Sequence, residues 1–173
     1  MSRWIGPLLV ALLAALAGWY VTLAATPSFL LDRAWDQLAA QAGHNRMTHS
    51  PLVRAESQFI VRPSPDLAYS ICAFDLTDGP LEVMAHPVPD HYWSLTVFDS
   101  VTNAAFVESD RDSRGAPVRV VLATADQEVP RGARRITLPD AKGVALIRVL
   151  LKNRGEIAAV DAFRTKSYCR VLS

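Results

Sequence analysis

Between Trp4 and Ala25 the chain runs for 22 residues without a charge. At about 1.5 Å per residue this stretch reaches about 33 Å as a helix, enough to cross a hydrocarbon core of about 30 Å. No other feature restricts the fold as much, because a helix that is apolar on every side has no stable place on the surface of a water-soluble globule. Leucine and alanine fill the middle from Leu8 to Ala17, while Trp4, Trp19 and Tyr20 are amphipathic aromatics of the kind found at headgroup level. Pro7 near the start and Gly18 further in are both compatible with a spanning helix. Two readings share the segment. The small residues closing Thr22-Leu23-Ala24-Ala25 suit a signal-peptide cleavage site, whereas the length exceeds the ~7–15 residues of a usual signal core and only Arg3 precedes it, which favours a retained anchor. Arg3 and the terminal amine, set against Asp32, Arg33 and Asp36 on the far side, orient the N-terminus toward the cytoplasm.

The 173 residues leave room for one core behind this segment. The net charge of +1, with acids and bases interleaved, provides no basic stripe and argues against a nucleic-acid partner. Arg131, Arg134 and Arg135 cluster in a turn-rich stretch that reads as a solvated loop. Residues 28–43 predict a second helix, with Ser28 as cap, Leu31, Trp35, Leu38 and Ala42 at helical spacing, and Gly43 as the stop. Residues 44–51 read as a connector ending at Pro51.

Beyond Arg54 the period changes to two. Strands are expected at 59–62, 69–76, 81–85, 92–98, 118–124, 134–138 and 144–151, punctuated by turns at Pro63-Ser64-Pro65 and Asp78-Gly79-Pro80. Trp93, Leu95 and Val97 share one face of their strand, and Tyr92, Ser94, Thr96 and Phe98 the other. Residues 144–151 are apolar on both faces, which predicts a central strand. A closing helix is expected over 156–163. The pattern implies a mainly β fold: an antiparallel β-sandwich or jelly-roll-like domain with an N-terminal transmembrane helix and flanking helices. The corresponding divisions are 1–27 as membrane anchor or signal peptide, 28–50 as juxtamembrane helix and connector, and 51–173 as the β domain.

Two stretches carry more than periodicity. Ser64-Pro-Asp-Leu-Ala-Tyr-Ser-Ile-Cys-Ala-Phe-Asp-Leu-Thr-Asp-Gly-Pro80 and His91-Tyr-Trp-Ser-Leu-Thr-Val-Phe-Asp-Ser-Val-Thr-Asn-Ala-Ala-Phe106 resemble the signature of the bacterial DUF1254 family. That family shows an Asn/Pro-x-Asp-Thr-Leu-Tyr-Ser segment, an Asp-Leu-x-x-Gly-Pro turn, and an Arg-Tyr-Tyr-Ser strand leading to Asp-x-x-Thr-Asn. Here Leu67-Ala68 stands in place of Thr-Leu, and His91-Tyr92-Trp93 in place of Arg-Tyr-Tyr. The resemblance covers roughly residues 54–153. It implies a β-sandwich-like domain, an uncharacterised activity, and, for short members with an N-terminal hydrophobic segment, a partner of the related DUF1214 family.

The polar residues at these strand ends and turns, Asp66, Tyr69, Asp75, Tyr92, Asp99, Thr102 and Asn103, are the candidates for chemistry. Asp66, Tyr69, Tyr92, Asp99 and Asn103 form the expected ligand-binding set. Carboxylates beside tyrosines suit a polyol, a sugar or a cation, or acid–base work where burial moves their pKa values. The same residue types satisfy turn N–H groups and anchor sandwich corners, which is the competing structural role. His44, His49, His86 and His91 lack metal-ligand spacing, and there is no Gly-x-Ser-x-Gly elbow, phosphate-binding glycine loop or His-Glu-x-x-His helix. No metal or cofactor is implied, and no catalytic residue is assigned. Cys72 and Cys169, the only cysteines, are open to two readings: a disulfide worth on the order of 4 kcal/mol in an oxidising compartment, or two small buried apolar residues.

These readings predict a single-pass protein of the bacterial inner membrane, held through residues 4–25, with its C-terminal domain in the periplasm binding a ligand or partner. The alternatives are an envelope hydrolase or lyase acting on a small or saccharide-like substrate, and a structural subunit of a complex with a DUF1214-type protein.

Overall fold

Helix α1 (Ile5–Ala42) runs unbroken for 38 residues in the computed structural model, which describes residues 2–52 and 63–172. This differs from the expectation of two helices. Pro27 lies inside α1 and Ser28 is an interior residue rather than a cap. Proline's fixed φ suits a helix and removes one internal hydrogen bond, a loss the helix absorbs while its second half is held by packing. The stop at Gly43 is as expected: its φ is +78°, and its N–H bonds to the Ala39 carbonyl at 2.8 Å.

The two halves of α1 differ in surroundings. Residues 3–26 are exposed throughout, and the helix is long and apolar enough to cross a membrane. In the second half Leu31, Ala34, Trp35, Leu38 and Ala39 are buried or half-buried, whereas Asp32, Arg33, Asp36 and Gln37 are exposed. That spacing is the apolar stripe of an amphipathic helix.

The stripe meets the first sheet. This sheet has the order β1 (Thr48–His49), β2 (Leu67–Asp75), β8 (Lys142–Leu150), β4 (Trp93–Phe98) and β5 (Ala104–Ser109), every neighbour antiparallel. The expected central position of 144–151 is the one β8 occupies. Trp35 donates from Nε1 to the Phe74 carbonyl at 3.0 Å, and Lys142 lies 4.4 Å over its ring. Asn45 clasps Asp75 through two hydrogen bonds of 2.8 Å.

A second sheet has the order β7 (Arg135–Thr137), β6 (Val118–Ala123), β3 (Leu81–Ala85) and β9 (Tyr168–Val171), with β6 and β7 parallel and the other pairs antiparallel. One hydrophobic cluster draws on both sheets, with Phe74, Trp93, Leu95, Val97, Ile147 and Val149 from the first and Leu81, Val83, Val120 and Leu122 from the second. A disulfide between Cys72 on β2 and Cys169 on β9 ties the sheets together. Short helices α2 (Asp110–Ser113) and α3 (Ile157–Arg164) complete the fold. Neither sheet closes on itself, and helix and strand take comparable shares of the chain because α1 is so long, so "mainly β" describes the part behind α1 better than the whole. The strand expected at 59–62 lies outside the described residues.

Candidate functional site

The five residues expected to bind a ligand do not assemble. Tyr92 and Asp99 bracket β4, seven residues apart, which separates them by about 23 Å along an extended strand. Asp66 lies toward the Tyr92 end, since the Asp66 and Tyr92 carbonyls accept from Leu151 and Leu150 N–H, each at 2.9 Å. Tyr69 acts locally, its hydroxyl accepting from the Ser64 N–H at 2.9 Å and closing the loop into β2.

At the opposite end Asp99 is 5% exposed and committed to its own turn. Its carboxylate accepts from the Val101 and Asn103 N–H groups at 3.0 and 2.8 Å and from Asn103 Nδ2 at 3.0 Å. Thr102 sits within this turn at φ +68°. Asp75 likewise accepts from Thr77, at its N–H and its hydroxyl. These are turn and cap interactions; of the expected set, Asp99 and Asn103 meet at one end of the sheet, and Asp66 and Tyr92 lie toward the other.

What the Tyr92 end offers is a cleft of about 520 Å³, lined by residues 87–93 together with Asp110 and Gly115. Sequence dictates its walls. Pro87 and Pro89 shape the connection from β3 to β4, which turns at Asp90, whose φ is +60°. Trp93 turns inward and is fully buried, leaving Tyr92, on the other side of the strand, 44% exposed. Across the sheet, Ser94 pairs with Ser109, the last residue of β5. Ser109 and Asp112 form a capping box that starts α2 and sets Asp110 at the cleft.

Asp110 is the distinctive group. Its Oδ1 is buried without a hydrogen-bond partner, and no ion pair reaches it among the described residues. Two further buried atoms lack partners, Ser94 Oγ and Arg148 Nε, on residues that face each other across β4 and β8. His91, also at the cleft, has an acceptor at each ring nitrogen, the Pro89 carbonyl 2.8 Å from Nδ1 and Glu156 3.1 Å from Nε2, and a neutral ring donates to only one of them. The hydrogen bond from His91 is the main reason the Glu156 carboxyl sits below its ordinary pKa.

Two polar networks went unseen in the sequence. Arg164 of α3 is almost wholly buried, bonds the Tyr69 and Ser50 carbonyls at 2.6 and 2.8 Å, and pairs with Asp161. Beside it His49 Nδ1 meets Ser70 Oγ at 2.8 Å. Burial, then the Arg164 charge, holds the His49 pKa below its usual value, with Asp161 opposing. Ser70 is buried, so this serine–histidine pair has no access for a substrate. On the second sheet, burial raises the Glu82 pKa, but a 2.6 Å hydrogen bond from the Tyr168 hydroxyl and the charges of Arg119 and Arg170 outweigh it and hold the carboxyl low. Only a register of strands reveals such pairs, because Glu82 and Tyr168 are 86 residues apart. Among the described residues no group of three His, Cys, Asp or Glu side chains is placed to hold a metal.

Comparison with known proteins adds fold and family. The family model DUF1254, described as a protein of unknown function, matches residues 44–170. Among curated proteins none matches. The VPA0106 protein from Vibrio parahaemolyticus superposes with a TM-score of 0.60 at 16% identity, over 85% of this chain and 37% of its own. An uncharacterised protein from Burkholderia cenocepacia does so with a TM-score of 0.50 at 14% identity, over 84% and 40%. At these identities the likeness concerns the fold alone, and the chain spans about two fifths of the length of each.

Proposed function

The chain belongs to the DUF1254 family, proteins of unknown function, and from that premise we propose that it is a membrane-tethered envelope protein whose β domain binds a small ligand or a partner at the bilayer surface. The observation that carries this reading is the continuity of α1, from an exposed apolar half straight into a half that docks on the first sheet. An 18-residue stretch of mean hydropathy 2.2, none of it buried against the protein, is stable in lipid and costly in water. The position of Arg3 favours a cytoplasmic N-terminus, and the Cys72–Cys169 disulfide fits the oxidising periplasm. In this reading the two sheets around their shared core act as a sandwich-like platform with the cleft at one end.

Fractionation tests the tether. The full chain is expected in the membrane pellet after alkaline carbonate extraction, with an N-terminal peptide that still contains residues 4–25, and a C-terminal alkaline phosphatase fusion is expected to be active. A carbonate-soluble product beginning after Ala25 overturns the anchor in favour of a signal peptide.

A second reading has its own support. The solved relatives carry this fold within chains more than twice as long, so a separate protein of the DUF1214 type is proposed to take the place of the remainder. Co-purification of such a protein with the detergent-solubilised chain supports it, and a chain that purifies alone at stoichiometry overturns it.

A further inference from the structure

We propose that the cleft at the start of β4 is a binding site for an organic cation, an alkylammonium or alkylguanidinium group held by Asp110 against the ring of Tyr92. The inference deepens the ligand-binding reading above by naming the class of ligand.

The argument begins with Asp110. A buried carboxylate oxygen without a donor is an expensive arrangement, and such atoms in native folds mark a place where something else supplies the hydrogen bond. Nothing in the local fold requires Asp110 for itself. The first turn of α2 is capped by Ser109 and Asp112, whose carboxylate takes the Ser109 N–H at 3.0 Å and the Ser109 hydroxyl at 2.7 Å. Asp110 is therefore an uncommitted carboxylate at the wall of the cleft, half-buried with Oδ1 shielded from solvent, and a charged donor that reaches its other oxygen is the partner that best repays this burial.

The rest of the lining selects for the same class. Its carboxylates are Asp90 and Asp110, with no lysine or arginine among the lining residues, and the His91 ring is turned to Glu156, which offsets any charge it carries. The two carboxylates favour a cation over an anion. Pro87, Val88 and Pro89 supply an apolar wall suited to an alkyl chain, and the exposed ring of Tyr92 supplies a π face, which attracts an ammonium or guanidinium group within about 6 Å. At about 520 Å³ the space falls within the range of small-ligand sites, about 300–1,000 Å³.

The test is a calorimetric and NMR titration of the full chain in lipid nanodiscs with agmatine, which carries both cationic groups on a short alkyl chain, and with butyrate as the anionic control. Agmatine is expected to saturate one site and to shift the signals of residues 87–93 and 110, and butyrate to do neither. Asp110→Asn, which keeps the shape of the side chain, is expected to weaken agmatine at least tenfold, and Tyr92→Leu at least threefold, with melting curves showing that both variants fold. Tighter binding of N-acetyl-lysine methylamide than of agmatine assigns the group to a peptide side chain, and the reverse assigns it to a free amine. Failure of agmatine to saturate at millimolar concentration, or equal affinity in Asp110→Asn, overturns the site. Carbonate extraction on the same preparation separates that failure from failure of the membrane tether.

Discussion

At the end of the first sheet where β2 and β4 finish, the carboxylates are consumed by the backbone beside them: Asp75 holds Thr77, and Asp99 holds Val101 and Asn103. At the opposite end, where β4 begins and β5 finishes, Asp110 lines a cleft and its carboxylate has no partner among the described residues. The two ends are built from similar residues, so residue type alone does not separate an architectural carboxylate from one available to a ligand. The accounting of donors does. Where every lone pair facing the protein meets an N–H or O–H, the group stabilises a turn; where one is left over, the fold bears its cost and a ligand can recover it.

The sharpest way to break the comparison is at the end that carries Asp75 and Asp99. Gly143 on β8 sits so close to its neighbours that a Cβ there lies 2.3 Å from the Phe98 carbonyl oxygen and 2.4 Å from Phe74 Cζ. The carbonyl belongs to backbone at a bulge between β4 and β5, so it has little room to retreat. Gly143→Ala is expected to destabilise the chain by about 3 kcal/mol or more, measured by denaturant unfolding of the detergent-solubilised protein. A change under about 1 kcal/mol contradicts the rigidity assigned to this end.

A smaller effect compares the ends directly. Asp99→Ala removes the acceptor of three hydrogen bonds in an almost buried turn and is expected to cost about 2 kcal/mol. Asp110→Ala removes a carboxylate oxygen that has no partner and is expected to leave stability unchanged or raise it by about 1 kcal/mol. Equal losses from the two variants, in parallel unfolding experiments without ligand, erase the distinction between them.

Much of the scaffold was legible because hydrophobic periodicity reports burial directly. Strand β3 falls on the expected residues, and β4, β6, β7 and β8 differ from expectation by one or two residues at their ends. The misses have physical causes. Strand β5 reads Ala104-Ala-Phe-Val-Glu-Ser109 and lies at a sheet edge, where Val107 is exposed and Glu108 is buried against Arg134, so its alternation is blurred. Strand β9 is four residues long and β1 only two, too short for a period to show. Pro27 and Ser28 mimic a helix boundary, yet the second half of α1 is held by its contacts with the sheet rather than by a cap of its own. In the site, the proline-bounded wall and Tyr92 were visible in the sequence. Asp110 was hidden in a polar run, because an unsatisfied acceptor is a property of three-dimensional neighbours.

The smallest effect concerns pH, through a group on the architectural side of the comparison. His49 on β1 is half-buried beside Arg164, and both burial and that charge favour its neutral form, so its pKa is lower in the folded chain than its ordinary value near 6.5. The unfolded chain therefore binds the proton more readily. The stabilisation is fully present above the unfolded pKa, and it is lost as pH falls below about 6.5 and through the folded pKa. His49→Gln, which keeps a hydrogen-bonding side chain beside Ser70 but does not titrate, is expected to flatten that part of the stability profile while leaving the Glu82 contribution, whose carboxyl is also held low, to be lost at more acid pH. Unfolding curves between pH 7.5 and the onset of acid denaturation decide it, because an unchanged slope in the variant means that another group carries the loss and that His49 is no part of the architecture around Arg164.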